Sequence, residues 1–171
     1  MKKYISDFEI VYNLRLNKDY FILKLKCEDD LPAILPAQFA EVHIDNSVST
    51  FLRRPISIHD VNYDKNTITL LIRIAGKGTE KLSEKKTGEY INLIYPLGNS
   101  FSLPLQDKVL LVGGGCGVAP MLYTAKYFMQ FGFMPTLLLG YRDKESILRP
   151  KKFGKYGNVF YTTGDGSFGE K

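Results

Sequence analysis

The sequence predicts a six-stranded antiparallel β-barrel followed by part of a doubly wound parallel α/β domain. Two observations carry this expectation. Early in the chain, short runs with period-two alternation or β-branched and aromatic residues recur between turn residues, the pattern of a small barrel or sandwich. From Lys108 the pattern changes to a continuous apolar run, Lys108-Val109-Leu110-Leu111-Val112, followed at once by glycines and then by a helix-like stretch. That is the pattern of a β-α-β unit. The two units are expected at 1–102 and 103–171.

The barrel strands are expected around residues 8–12, 20–26, 39–44, 55–58, 67–74 and 90–94. Between the last two, residues 78–83 read as a short helix with Thr79 near its N-cap. Tyr95-Pro96-Leu97-Gly98-Asn99 is a turn cluster. In the second unit, residues 108–112 read as a strand buried on both faces, residues 119–129 as a helix with Pro120 in its first turn and Gly132 after its end, and residues 136–140 and 159–163 as further strands. A complete doubly wound domain has about five or six strands. Three are expected here, so this unit is read as truncated, with an edge at Val109 to Val112 for a longer chain or another chain to cover.

Composition narrows the function classes. Of 171 residues, 44% are hydrophobic and 24% charged, which excludes disordered and collagen-like chains. No apolar run approaches the ~20 residues of a membrane-spanning helix, and the N-terminus reaches charged residues without an apolar signal core, so neither membrane insertion nor export is expected and the chain reads as cytoplasmic. Two cysteines, Cys27 and Cys116, are too few for a disulfide framework or for four-thiolate ligation of a metal. Cys27 reads as a core residue or a strand-end thiol. The excess of 23 Lys and Arg over 18 Asp and Glu gives +5, with no motif directing that charge to nucleic acid.

Three motifs carry chemistry. Arg54 and Ser57 stand three apart across a Pro55-Ile56 step, and a guanidinium fork with a hydroxyl is a donor set suited to a diphosphate. On a strand, Arg54, Ile56 and Ile58 share one face and Pro55 and Ser57 the other, while Pro55 confines Arg54 to extended or bent backbone. Read alone, Arg54 is an ordinary surface arginine at a strand start. Gly76-Lys77-Gly78-Thr79 offers unhindered N–H groups at a helix start, an arrangement that holds anions; alone it is a glycine turn capped by threonine. Residues 113–120, Gly-Gly-Gly-Cys-Gly-Val-Ala-Pro, sit between a strand and a helix, where a dinucleotide-binding turn is expected, with Pro120 in place of its last glycine. The alternative is a glycine-rich connection without a ligand. Together the motifs point to a dinucleotide-handling protein.

The remaining residues are weaker signals. Cys116 is a packing residue or a thiol near a nicotinamide position; with no base partner it is not expected to act as a nucleophile. Tyr141-Arg142-Asp143 offers an arginine for a 2′-phosphate and an aspartate for ribose hydroxyls, so both NAD and NADP stay open. The basic run from Arg149 to Lys155 reads as a solvated loop or a partner surface. His43 and His59 are isolated, so metal binding is not expected. Asp165-Gly166-Ser167 reads as a turn.

These residues resemble the ferredoxin-reductase-like flavoprotein superfamily. Arg54-Pro55-Ile56-Ser57 is similar to its flavin-binding Arg-x-x-Ser motif, Gly78-Thr79 to its second flavin-phosphate element, and residues 115–120 to its pyridine-nucleotide turn. Pro36-Ala37-Gln38-Phe39 and Pro96-Leu97-Gly98-Asn99 match further landmarks, with Ala37 where glycine is usual. Within the superfamily the chain resembles the electron transfer subunits of NAD-dependent dihydroorotate dehydrogenase, which carry Arg-Arg-Pro-Ile-Ser, Gly-x-Gly-Thr and Asp-Gly-Ser-x-Gly segments; here these are residues 53–57, 76–79 and 165–169.

The resemblance implies that Arg54, Pro55, Ile56, Ser57, Leu71, Ile72, Arg73, Gly78 and Thr79 hold FAD, with residues 71–73 lying along the flavin through their backbone, and that Gly115, Gly117 and Pro120 approach NAD. It implies a partner, an FMN-containing dihydroorotate dehydrogenase catalytic subunit in a heterotetramer. Electrons would pass from it across an iron–sulfur cluster to FAD and then to NAD+. The family's [2Fe-2S] cluster uses four cysteines nearer its C-terminus, which Cys27 and Cys116 do not match, so that cluster is expected only in a longer natural chain. Alternatives of the same architecture are a ferredoxin–NAD(P) reductase and the diaphorase subunit of a sulfide dehydrogenase or hydrogenase. A non-redox barrel module for an acidic ligand is an alternative of another class.

Overall fold

A computed structural model describes residues 2–45 and 47–169, and the chain divides into two compact units, Met1–Ser100 and Phe101–Lys171. The first unit contains strands β1 (Tyr4–Arg15), β2 (Tyr20–Cys27), β3 (Phe39–Val42), β4 (Arg54–Asn62), β5 (Thr67–Arg73) and β6 (Tyr90–Leu97), with helix α1 (Lys77–Glu84) between the last two. The strands close into an antiparallel barrel in the order β1-β2-β5-β4-β3-β6. Alternate residues fill its interior, as a pleated strand requires: Phe8 and Ile10 on β1, Phe21, Leu23 and Leu25 on β2, and Ile68 and Leu70 on β5 are fully buried. Register shifts at Ile10/Tyr12 and at Ile58/Asp60 supply the local bends that closure demands.

Two of the sequence landmarks meet where β3 joins β6. Phe39 pairs with Leu97, and its ring lies so close to Gly98 that a Cβ there would sit 2.9 Å from the ring edge. The buried Gln38 accepts a hydrogen bond from the Leu35 N–H through Oε1 and donates from Nε2 to the Gly98 carbonyl. Its own carbonyl accepts from Ile58 N–H on β4. One side chain and its backbone thus tie three strands together. Ala37 immediately precedes it with φ 69, in the left-handed region where a Cβ is disfavoured.

The second unit contains β7 (Leu110–Gly114), α2 (Met121–Gln130), β8 (Thr136–Tyr141), α3 (Pro150–Phe153) and β9 (Asn158–Thr163). The strands form a parallel sheet in the order β7-β8-β9. The first turn of α2 is buried all round, at Met121, Leu122, Tyr123 and Thr124, and Ala125 and Phe128 continue the buried side towards its end. It ends as the glycine predicts: Gly132, at φ 87, donates to Met129 O, and Phe133 N–H reaches back to Phe128 O. Helix α2 starts later than expected, because residues 115–118 form a separate single 3-10 turn first. Strand β7 also differs from expectation. Leu111 and Gly113 are buried, but Leu110 and Val112 are 62% and 61% exposed, so one face of the strand is covered rather than two. Among the described residues no helix is long and apolar enough to cross a membrane.

The conformation at Ala37 gives a direct test. Removing the Cβ relieves a left-handed strain of about 1–2 kcal/mol, while glycine adds back roughly 0.5–1 kcal/mol of chain entropy. Ala37→Gly is therefore expected to stabilise the protein by roughly 0.5–1 kcal/mol in urea unfolding, with an unchanged denaturant slope; a less stable variant would refute the strain.

Candidate functional site

The site in the first unit is built where β4 begins and β5 ends, which antiparallel pairing brings to the same end of the barrel. Along one side of β4, residues 54–57 pair with β3 from Val42 to Phe39. On the other side, the ladder to β5 runs from Asn62↔Thr67 to Ile58↔Leu70 and ends there. Ile56 and Ser57 on β4 and Leu71, Ile72 and Arg73 on β5 therefore flank a notch in which backbone groups of one strand do not pair with the other. Leu71 and Ile72 are buried, Arg73 is exposed, and all three pair with β2 on their far side, at Ile22, Phe21 and Tyr20.

Helix α1 starts directly after β5. Gly76 is its N-cap, with extended backbone, and Thr79 stands near it as expected, at the third helical position. The Thr79 hydroxyl accepts from Ala75 N–H and Gly76 N–H and donates to Gly76 O. The first intrahelical bond is Glu80 N–H to Gly76 O. The N–H groups of Lys77, Gly78 and Thr79 consequently precede the helical ladder and point out of its positive end.

Arg54 is brought onto this helix start. A Cβ on the buried Gly78 would sit 2.8 Å from Arg54 Nε and 3.2 Å from its guanidinium carbon, so the guanidinium occupies the space that a side chain at position 78 would take. Arg54 Nη1 donates to Leu52 O at 2.6 Å, which holds the side chain without occupying its Nε and Nη2. The Ser57 hydroxyl, half-buried on the same strand, makes no hydrogen bond among the described residues. No side chain stands within 4 Å of a Cβ built on Gly76. Arg54, Ser57 and the first turn of α1 thus present charged, hydroxyl and amide donors without acceptors, a set that a diphosphate satisfies.

The adjacent Arg53 has a different role. It donates through Nη1 to Glu41 O and Asn92 O and through Nη2 to Asn92 Oδ1 at 2.6 Å, while Asn92 donates to Asp7. It therefore braces β3 and β6, leaving Arg54 as the arginine with free donors.

Two contacts that local sequence patterns do not reveal hold α1 in place. Asn13, on β1, donates from its amide to the carbonyls of Leu82, Ser83 and Lys85 at the C-terminal end of the helix. Lys81 reaches Asp45 Oδ2 at 2.6 Å and also donates to the Ser47 and Thr50 hydroxyls, both of which donate to Asp45. The Lys81 ammonium, then the Thr50 and Ser47 donors, hold the Asp45 carboxyl well below the usual carboxylate range.

In the second unit, Gly113 to Pro120 join β7 to α2. Gly113 is the packing glycine, because a Cβ there would meet Met121 Cγ at 2.8 Å and Gly117 O at 2.9 Å. Nothing lies within 4 Å of a Cβ built on Gly114, Gly115 or Gly117, and Gly115 has φ 54. Pro120 is the N-cap of α2 and its carbonyl accepts from the Thr124 hydroxyl. Cys116 is exposed, which removes the packing reading of that thiol. At the end of β8, Arg142 Nε donates to Asp143 Oδ2, and Asp143 Oδ1 accepts from Ser146 N–H and hydroxyl, which with Arg142 lowers the Asp143 pKa to about 2. Ser167 binds the neighbouring Asp165 and accepts from Lys144 N–H.

No protein-family model matches the chain. Among curated proteins it is 34% identical over 170 residues to "Dihydroorotate dehydrogenase B (NAD(+)), electron transfer subunit" of Fusobacterium nucleatum, covering 98% of this chain and 66% of that protein. It is 41% identical over 169 residues to the protein of the same name from Desulforamulus reducens, covering 98% of this chain and 64% of that one. The chain belongs to this family. It spans about two thirds of the length of these relatives. Among solved structures, it matches that of an NADH-dependent reduced ferredoxin–NADP oxidoreductase with TM-score 0.85 and 29% identity, over 96% of this chain and 59% of that one. A ferredoxin reductase of carbazole 1,9a-dioxygenase, at TM-score 0.81 and 19% identity over 98% of this chain and 54% of that one, shares the fold.

The Asp45 link has a signed pH consequence. A carboxyl held below its ordinary value of 3.8 stabilises the fold fully above that value, and the contribution is lost as pH falls towards the folded-state value. Urea unfolding of wild type is expected to show a fall in stability below about pH 4, and Asp45→Asn is expected to be less stable at neutral pH and to show a shallower fall. Parallel acid limbs would exclude this carboxyl.

Proposed function

We propose that this chain is the flavin-holding part of an electron transfer subunit of dihydroorotate dehydrogenase B, receiving electrons from a separate catalytic subunit and delivering them to NAD+. The observation that carries the proposal is the Arg54 guanidinium laid against Gly78 at the open start of α1, with the free Ser57 hydroxyl on the same strand. These residues fit FAD. Arg54, Ser57 and the amides of residues 77–79 would hold its diphosphate, and the notch at Leu71, Ile72 and Arg73 offers strand backbone to the edge of its ring system. When bound, FAD supplies the redox chemistry, exchanging electrons singly with a partner and as hydride with a nicotinamide.

The chain's own residues bind and orient. Arg54 neutralises diphosphate charge, the α1 dipole adds to that field, and Asn13 and Lys81 keep the helix end aimed at it. In the second unit, the side-chain-free surface of Gly114, Gly115 and Gly117 lets a nucleotide pyrophosphate approach the start of α2. The reading gives no side chain the role of acid, base or nucleophile. The [2Fe-2S] group does not fit the residues present. Cys27 and Cys116 are each the only cysteine of their unit, and among the described residues no group of His, Cys, Asp and Glu is arranged to hold a metal ion.

A second reading, a ferredoxin–NAD(P) reductase, is favoured by the solved structure at 29% identity. The partner decides. The full-length protein mixed with the catalytic subunit should form NADH from dihydroorotate and NAD+; reduction of ferredoxin without dihydroorotate turnover would favour the second reading. A protein that stays colourless after incubation with FAD would overturn both.

Two substitutions test the cradle itself. Arg54→Ala is expected to weaken FAD binding by roughly 1.5–3 kcal/mol, the scale of a charge-assisted hydrogen bond. Gly78→Ala should displace the guanidinium and weaken FAD binding as well, yet leave stability unchanged or raised by up to about 1 kcal/mol through helix propensity. FAD titration with parallel thermal melts separates the effects, and wild-type affinity in both variants would remove this corner from the site.

A further inference from the structure

The basic run between β8 and β9 lines a cavity that the electron-transfer reading does not use. The cavity, of about 600 Å³, is lined by Arg149, Pro150, Lys151, Lys152, Lys155 and Tyr156. Its frame is firm: Leu148 and Phe153 are buried on either side of Arg149, and the Tyr161 hydroxyl of β9 donates to Pro150 O. Arg149 adopts the left-handed conformation, φ 51 and ψ 45, which is uncommon for a residue with a Cβ. Its Nη1 is buried and has no hydrogen-bond acceptor among the described residues. Leaving a buried charged donor without an acceptor is costly unless something else meets it. Among the described residues no carboxylate lines the cavity, and Arg149, Lys151 and Lys155 make no ion pair.

We propose that this cavity binds a small organic polyphosphate of the nucleoside diphosphate class. Arg149, Lys151 and Lys155 in one concavity match a multiply charged anion, and the volume lies within the ~300–1,000 Å³ of small-molecule sites. The Tyr156 ring, the Pro150 ring and the lysine stems supply apolar surface for a planar base. Confinement of the charge to seven consecutive residues favours a compact anion over a nucleic acid or acidic protein, which a longer stripe would serve. The cavity is separate from the glycine turn. Tyr156 lies two residues before β9, at the end of the sheet where strands begin, whereas dinucleotides sit beyond the ends where strands finish.

The test is calorimetric titration of ADP into the full-length protein preincubated with FAD and saturating NAD+. Binding is expected to persist under NAD+, to survive Arg54→Ala, and to weaken at least tenfold in Arg149→Gln and in Lys151→Gln/Lys155→Gln. The lysine pair is exposed, so that variant decides if Arg149→Gln does not fold. Absence of ADP binding, displacement of ADP by NAD+, or unchanged affinity in the lysine variant would each overturn the proposal. Binding of poly-glutamate or single-stranded RNA without ADP binding would overturn it too, and would assign the face to a macromolecule.

Discussion

The geometry of the first unit depends on an arginine filling the space left by a glycine. Arg54 enters β4 as a strand residue and Gly78 sits in the first turn of α1, and they meet only because Gly78 lacks the Cβ that would occupy the same space. That contact sets charged donors beside the amides of a helix start, so that two weak anion-binding features become one. A lone helix start or a lone surface arginine is solvated and commonplace; their superposition concentrates positive potential at one corner of the barrel.

Much of the barrel exists to keep that corner in register. Gln38 links β3, β4 and the turn after β6, which fixes where Arg54 enters the sheet. Arg53 spends its donors on β3 and β6 and so cannot compete with its neighbour for a ligand. Asn13 and Lys81 grip α1 from its far end and its flank. The helix is only eight residues long, too short to be stable by itself, so its orientation comes from these side-chain clamps rather than from propensity.

The legibility of the sequence followed the range of the interactions. Alternation located every strand of the barrel, because each strand's apolar face is written in its own residues, and the switch at Lys108 located the parallel sheet. The landmark around Ala37 was legible as a departure, and its positive φ supplies the reason that glycine suits the position. The motif residues Arg54 and Gly78 could be picked out, but not their contact. Asn13 and Lys81 gave no local signal, since their partners lie in distant parts of the chain. The doubly buried reading of β7 failed because an apolar run records the character of its side chains and not how many layers cover them.

The segment after β9 shapes what the parallel sheet can become. Thr163 exchanges hydrogen bonds with Phe168 in both directions, and Gly169, at φ 82, returns alongside Thr162 as an antiparallel bridge so close that a Cβ on it would strike the Tyr161 carbonyl. This fold-back blunts the outer border of β9 over its final residues. A strand added along that border would have to displace the bridge or stop short of Thr162, so among the described residues the fold-back limits how far β9 can be extended sideways.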